Sequence, residues 1–294
     1  MSRFGTIISR LLFPKPKQVK AGGEEKKRKY KKGLVLSGGG ARGLAHLGAV
    51  KALYEEGHQF DVIVGTSMGS IVGCVLANGY HPDEIMEQLN GNLFLTFFRP
   101  DLSPNNMLSM NGARKILHKL LTVSNIEELS IPFIATATDF THGKSCYFKK
   151  GNIIDAVIAS SSIPVIFPPV MIDGVQYIDG GVLNNLPAKC IREDCEYIFG
   201  FHVNPQNLGL HDGEVKGIIN IADRAFNLCM LNNILPNIKL CDFYLEHDNL
   251  DEFTTFDFGK VKEIYALGYE NTKKVLAAKN DLFIEKNPST HKLE

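Results

Sequence analysis

The sequence predicts an α/β fold in which a mainly parallel sheet is covered by helices on both faces. Three observations carry this expectation. Short apolar runs alternate with longer stretches of helical periodicity. The first two runs, at 34–36 and 61–64, each end in a glycine-containing turn that leads straight into a helical stretch. No internal repeat and no second linker divides the chain, so a single domain is expected over residues 33–294.

The elements follow in order. Phe4, Ile7, Ile8, Leu11 and Leu12 recur at helical spacing beside Arg3 and Arg10, until Pro14 and Pro16 stop the pattern. Residues 1–32 carry eleven Lys and Arg against Glu24 and Glu25, and from residue 17 they read as a polar, basic linker. The strand at 34–36 and a glycine run lead to a helix over about 44–56. The strand at 61–64 and a tight turn lead to a helix through roughly residue 78. Pro82 opens a short helix ending near 89, and 91–110 is an irregular apolar segment suited to core, to a lid or to the lining of an acyl cavity. A helix is expected over about 112–121, and the spacing from Ser124 to Glu127 is that of a capping box. Beyond it come a strand over 133–138, a helix over 152–160 and a hairpin over 170–178 turning at Asp173-Gly174. Strands at 197–203 and 243–246 and helices near 215–234 and 260–278 complete the set.

Composition narrows the function. The chain of 294 residues has 44% hydrophobic and 22% charged residues and a formal net charge of zero, so its average charge gives no sign of a nucleic-acid binder. Its six cysteines form no CxxC pair, and no Cys/His spacing resembles a zinc framework. No signal-peptide pattern is present, and the apolar stretch at 7–13 is too short to cross a bilayer. These features predict free thiols in the cytoplasm, with no metal and no cofactor.

The chemistry rests on three motifs. Gly65-Thr66-Ser67-Met68-Gly69 lies between an apolar strand and a helix, where a sharp turn would present the Ser67 oxygen as a nucleophile. Gly38-Gly39-Gly40-Ala41-Arg42-Gly43 follows the first strand, and such a run lets N–H groups converge on an anion. That anion is a dinucleotide pyrophosphate or the oxyanion of an acyl-transfer intermediate. A dinucleotide site needs an acid at the carboxyl end of the next strand, whereas Asp61 lies at its amino end, so the oxyanion is preferred. For the base the residues leave two candidates. Asp179, followed by Gly180 and Gly181, closes the hairpin, and His202 ends a strand; His46 sits on the first helix and is expected to be packed.

Together with Ala159-Ser160-Ser161-Ser162-Ile163-Pro164, and with Asn185 and Pro187 after Asp179, these motifs resemble the patatin-like phospholipase family over about 33–203. The resemblance implies a three-layer α/β/α domain and a Ser67–Asp179 dyad without a catalytic histidine. It further implies oxyanion donors at Gly38, Gly39 and Gly40, with Gly43, Gly65, Gly69, Gly180 and Gly181 as motif positions. Arg42 is assigned first to ordering the glycine loop and second to meeting a lipid phosphate. The implied activity is hydrolysis of lipid acyl esters, of phospholipase or lysophospholipase type, through an acyl-enzyme. The basic tail is expected to hold the protein peripherally at an anionic membrane surface. The alternatives are a histidine-dependent esterase or thioesterase, and a non-catalytic membrane-binding module of the same fold.

Overall fold

The computed structural model describes residues 27–89, 108–204, 214–247 and 249–278. The amphipathic part of the tail and most of the apolar segment at 91–110 lie outside the described residues. Eight strands form one sheet: β1 (Tyr30–Leu36), β2 (Val62–Thr66), β3 (Phe133–Asp139), β4 (Lys144–Phe148), β5 (Val170–Ile172), β6 (Val175–Asp179), β7 (Cys195–His202) and β8 (Phe243–Glu246). The helices are α1 (Ala45–Glu55), α2 (Met68–Ala77), α3 (Pro82–Gln88), α4 (Asn111–Leu120), α5 (Ile153–Ser160), α6 (Ile218–Ile238) and α7 (Val261–Ala277).

The strand order is β5-β6-β3-β2-β1-β7-β8. The pairs β1/β2, β2/β3, β1/β7 and β7/β8 are parallel, while β3/β4, β3/β6 and β5/β6 are antiparallel. Strand alternation builds two cores. Leu34, Leu36, Ile63, Phe133 and Phe201 face one packed by α1, α2, α4, α5 and α7, whereas Val35, Val62, Val64 and Ile134 face one closed by Ile234 and Ile238 of α6. The result is the expected three-layer arrangement. From β1 the chain builds outward through β2 and β3, then returns to the other side of β1 with β7, so β1 flanks the crevice where such sheets hold their sites.

The register explains how distant residues meet. β4 occupies one edge of β3 along Ala135–Asp139, so β2 and β6 share the other edge. Thr66 of β2 stands opposite Thr136, and Asp179 of β6 stands opposite the next residue, Ala137. Two strands approaching from opposite directions thus end side by side. Ser67 and Asp179, 112 positions apart in the sequence, are delivered to one place.

Three details differ from the sequence-based expectation. β1 begins at Tyr30, because Tyr30 and Lys32 pair with β7 and the Lys31 and Lys32 N–H groups donate to Asp61 Oδ2 at 2.9 and 2.7 Å. A strand partner thus overrides a linker-like composition. β4 escaped notice because its residues are only partly buried and begin with a charge. The capping box is Asn125 with Glu128, whose Oε2 accepts the Asn125 N–H at 2.8 Å, while Glu127 Oε2 instead accepts the Gly151 N–H. The Asp173-Gly174 turn is as expected, both residues having the positive φ that the tight hairpin demands.

Candidate active site

Ser67 sits between β2 and α2 with φ 53° and ψ −125°, a backbone state that costs a side-chain-bearing residue about 1–3 kcal/mol. Its surroundings hold it there. The Ser67 N–H donates to Ser160 Oγ at 2.9 Å, and Ser160 Oγ donates onward to the Thr136 carbonyl at 2.6 Å. The Ser67 carbonyl accepts from Ser70 Oγ at 2.7 Å and from the Ser70 N–H at 2.8 Å. The motif glycines are required by close backbone approach. A Cβ on Gly65 would collide with the Gly69 carbonyl, and one on Gly69 with the carbonyls of Leu36 and Ser37. Ser67 caps the amino end of α2, where the helix dipole favours negative charge.

Asp179 is fully buried at the end of β6. Its N–H donates to the Ser162 carbonyl at 2.8 Å, and its carbonyl accepts from Thr138 Oγ1 at 3.0 Å. Oδ1 accepts the Gly181 N–H at 2.7 Å, while Oδ2 has no hydrogen-bond partner among the described residues. Burial pushes the carboxyl up to about 7, against the opposing pull of the neighbouring Ser67 hydroxyl and the Gly181 N–H. Ser67 Oγ is thus beside the carboxylate without closing a hydrogen bond to Oδ2.

The glycine loop lies against Ser67: a Cβ on Gly38 would come within 2.9 Å of Ser67 Cβ. Of the three glycines expected to present N–H donors, Gly38 already donates to Asn185 Oδ1 at 3.1 Å. The N–H groups of Gly39 and Gly40 have no partner among the described residues. Arg42 is buried beneath the loop, donating from Nε to the Gly39 carbonyl at 3.4 Å and from Nη2 to Asn227 Oδ1 and Thr255 Oγ1, both at 3.2 Å. Burial lowers its pKa to about 10, with Asp223 and Asp257 opposing the shift. This geometry fits loop ordering rather than contact with a phosphate at the surface.

Neither histidine considered from the sequence is hydrogen-bonded to Ser67. His46 Nε2 is bonded to the Ser37 carbonyl at 2.8 Å, and burial lowers the ring to about 4. His202 Nδ1 is 3.2 Å from the Tyr244 hydroxyl, and burial together with the Arg42 charge lowers that ring to about 3. Other contributors were missed in the sequence. Three asparagines of α6 are among them: Asn233 Nδ2 donates to the Gly181 carbonyl and its Oδ1 accepts the Asn185 N–H, both at 2.8 Å, Asn237 Oδ1 accepts the Lys189 N–H at 3.1 Å, and Asn227 meets Arg42. Asn227 and Asn233 recurred along the helix expected at 215–234, the available signal, while Asn237 lay beyond its expected end. Ser160 lay within the Ala159–Pro164 motif without an assigned role, and Asn204 carried no signal.

Among the described residues no cluster of three or more His, Cys, Asp or Glu could hold a metal, and no helix is long and apolar enough to cross a membrane. All six cysteines are free thiols.

A strained serine between two glycines at a strand-to-helix turn, with a glycine loop against it, is the nucleophile-elbow arrangement of hydrolytic α/β enzymes. The family model described as patatin-like phospholipase matches residues 34–189, and the chain belongs to this family of carboxylic ester hydrolases. It is 37% identical over 161 residues to an uncharacterised NTE family protein of Mycobacterium tuberculosis, a match covering 54% of this chain and 44% of that protein. It is 27% identical to patatin-like phospholipase domain-containing protein 6 of Mus musculus over 82% of this chain and 20% of the relative. Lysophospholipase NTE1 of Lodderomyces elongisporus is likewise 27% identical, over 80% of this chain and 18% of its own length. The chain thus spans less than half the length of these relatives. Among solved structures, VipD from Legionella pneumophila aligns with a TM-score of 0.48 at 16% identity, over 85% of this chain and 67% of that one.

Proposed function

We propose that this chain is a serine hydrolase of lipid acyl esters, of phospholipase or lysophospholipase type, with Ser67 as nucleophile and Asp179 as its base. The observation that carries the reading is the pairing of a strained Ser67 with a buried carboxylate whose Oδ2 has no hydrogen-bond partner among the described residues and whose pKa is raised to about 7. An ordinary aspartate is too weak a base to help a hydroxyl, whereas one poised near neutrality is suited to the task. In the first step Ser67 Oγ attacks the ester carbonyl carbon as its proton passes to Asp179 Oδ2. The carbonyl oxygen becomes the oxyanion, for which the Gly39 and Gly40 N–H groups are the proposed donors. Collapse expels the alcohol, which takes the proton from Asp179, and leaves an acyl-enzyme. Water, deprotonated by Asp179, then attacks the acyl carbon, and collapse releases the fatty acid and returns the proton to Ser67.

The histidine-dependent alternative lacks support, since His46 and His202 are engaged elsewhere. The lipid substrate is inferred from the family and from the relative named a lysophospholipase. Anchoring of the basic residues 1–32 at an anionic surface rests on sequence alone. It is tested by co-sedimentation of the full chain and a chain starting at Lys27, which keeps the whole of β1, with anionic liposomes, where equal pelleting would reject it. The catalytic reading is tested by intact-mass analysis after a fluorophosphonate probe and by a lipid-panel assay, each with Ser67→Ala as control. One adduct on Ser67 and release of fatty acid by the unsubstituted chain alone are expected. An adduct elsewhere, or unchanged hydrolysis by Ser67→Ala, would reject it.

A further inference from the structure

We infer that Asn204, just beyond β7, is a positioning residue for the oxyanion donor, setting the orientation of the Gly38–Gly39 peptide. The inference rests on the hydrolase reading above. β7 runs parallel to β1 with Phe201 opposite Leu36, and the ladder continues beyond the strand ends. The Ser37 N–H donates to the Phe201 carbonyl at 3.0 Å, and the Val203 N–H donates to Ser37 Oγ at 3.2 Å. This brings the buried Asn204 beneath the glycine loop, where Nδ2 donates to the Gly38 carbonyl at 2.7 Å. Ser37 Oγ donates to the same oxygen at 3.1 Å.

In a trans peptide the carbonyl and the following N–H point in opposite directions, and the described chain contains no cis bond. Fixing the Gly38 oxygen on Asn204 therefore aims the Gly39 N–H to the opposite side of that peptide. Gly38 is the loop residue against Ser67, and the Gly39 N–H has no partner among the described residues. Arg42 treats the next peptide in the same way, holding the Gly39 carbonyl and so directing the Gly40 N–H. Glycines on both sides of a peptide leave it free to rotate, and a half-turn would put the Gly38 oxygen where the oxyanion forms. Ser37 Oγ at 3.1 Å and Asn185 Nδ2 at 3.5 Å share the Gly38 oxygen, and Asn204, at 2.7 Å the shortest of the three donors, selects the productive orientation.

The rest of its environment argues against a role confined to stability. Among the described residues Asn204 Oδ1, which is buried, has no hydrogen-bond partner, and the other contact of Nδ2 is with Met230 Sδ at 3.9 Å. A buried amide left half satisfied is a poor way to stabilise a fold, and an apolar residue of the same shape would serve stability better.

The test compares Asn204→Leu, which keeps the shape, and Asn204→Ala with the unsubstituted chain on a soluble p-nitrophenyl ester. Thermal melting and the second-order rate of fluorophosphonate labelling are measured beside kcat and KM. The expected result is a folded variant whose kcat falls by about tenfold to a hundredfold, below the direct loss of an oxyanion donor, with KM within about twofold. The labelling rate should fall in parallel, since it too develops charge on an oxygen. Unchanged kcat in a folded variant, a change confined to KM, or failure of both variants to fold would overturn the inference. Ser67→Ala, assayed alongside, separates the two claims. If it retains turnover the hydrolase reading fails, whereas if it is inactive and Asn204→Leu keeps full kcat, only the role of Asn204 fails.

Discussion

Asp139 and Asp179 close the neighbouring strands β3 and β6, two register positions apart, and both are almost wholly buried. Their surroundings drive them in opposite directions. Burial alone would raise Asp139, but the His142 ring and N–H and the His142 and Lys144 charges outweigh it and hold the carboxyl below its ordinary value. The His142 Nδ1 lies 2.9 Å from Asp139 Oδ2 and its N–H 2.9 Å from Oδ1. Asp179 has one N–H donor, the Ser67 hydroxyl beside it and no cation, so burial prevails and its carboxyl rises to about 7. Two identical side chains on adjacent strands thus differ through their partners. A cation beside the first makes it a structural anion, and the lack of one leaves the second able to take a proton near neutral pH.

The largest effect that should separate the two is on turnover. Asp179→Asn is expected to lower kcat by about a hundred- to ten-thousand-fold, whereas Asp139→Asn should leave it within several-fold. Equal losses would erase the distinction. The same substitution of Asp179 should stabilise the fold at alkaline pH. A carboxyl at about 7 when folded against 3.8 ordinarily binds its proton more tightly in the folded state, so its ionisation costs stability as pH rises between those values. Relative to the unsubstituted chain, the melting temperature of Asp179→Asn should rise at pH 8, by the equivalent of a few kcal/mol at most, and differ little at pH 4. Asp139 carries the opposite sign. Its contribution is present above the ordinary carboxylate value and lost as pH falls through its lowered one.

The pH profile sharpens the contrast further. A base must be ionised to accept a proton, so kcat/KM should fall as pH drops through about 7 instead of holding down to about 4. An acid limb near 4 in the unsubstituted chain would place the base elsewhere. Ser160→Ala should have a smaller effect, because it strands the buried Ser67 N–H while sparing the dyad. Urea denaturation should show a loss of about 1–3 kcal/mol, with turnover reduced less than by Asp179→Asn. Smallest of all should be the effect of Asp139→Asn on kcat.

Much of this site was legible in the sequence because local chemistry dictates it. Ser67 between glycines, the run Gly38 to Gly40 after an apolar strand, and Asp173-Gly174 in a hairpin each answer a short-range steric demand. The base was less legible: from the residues alone Asp179 and His202 stood together. What distinguishes them is that β6 meets β2 along β3, while His202 ends β7 beside Tyr244. The engagement of the Gly38 N–H by Asn185, 147 positions away, was not legible either.

By itself, then, the sequence determined the alternation of strands and helices, the elbow at Ser67 and the family, for these are written in residue type over a few positions. Tertiary structure decided everything that depends on distant partners. It crossed α1 with α7 so closely that a Cβ on Gly48 would strike the Tyr265 carbonyl, and one on Gly268 the Ala45 carbonyl. It set the asparagines of α6 against the loop after Asp179 and Asn204 under the glycine loop. It also set the Lys144 ammonium 4.0 Å from the Asp139 carboxylate, while no cation bears on Asp179 among the described residues. A side chain's type fixes which hydrogen bonds and charges it can offer, but a carboxylate's pKa and a peptide's orientation are set by whichever groups the fold brings within a few ångströms.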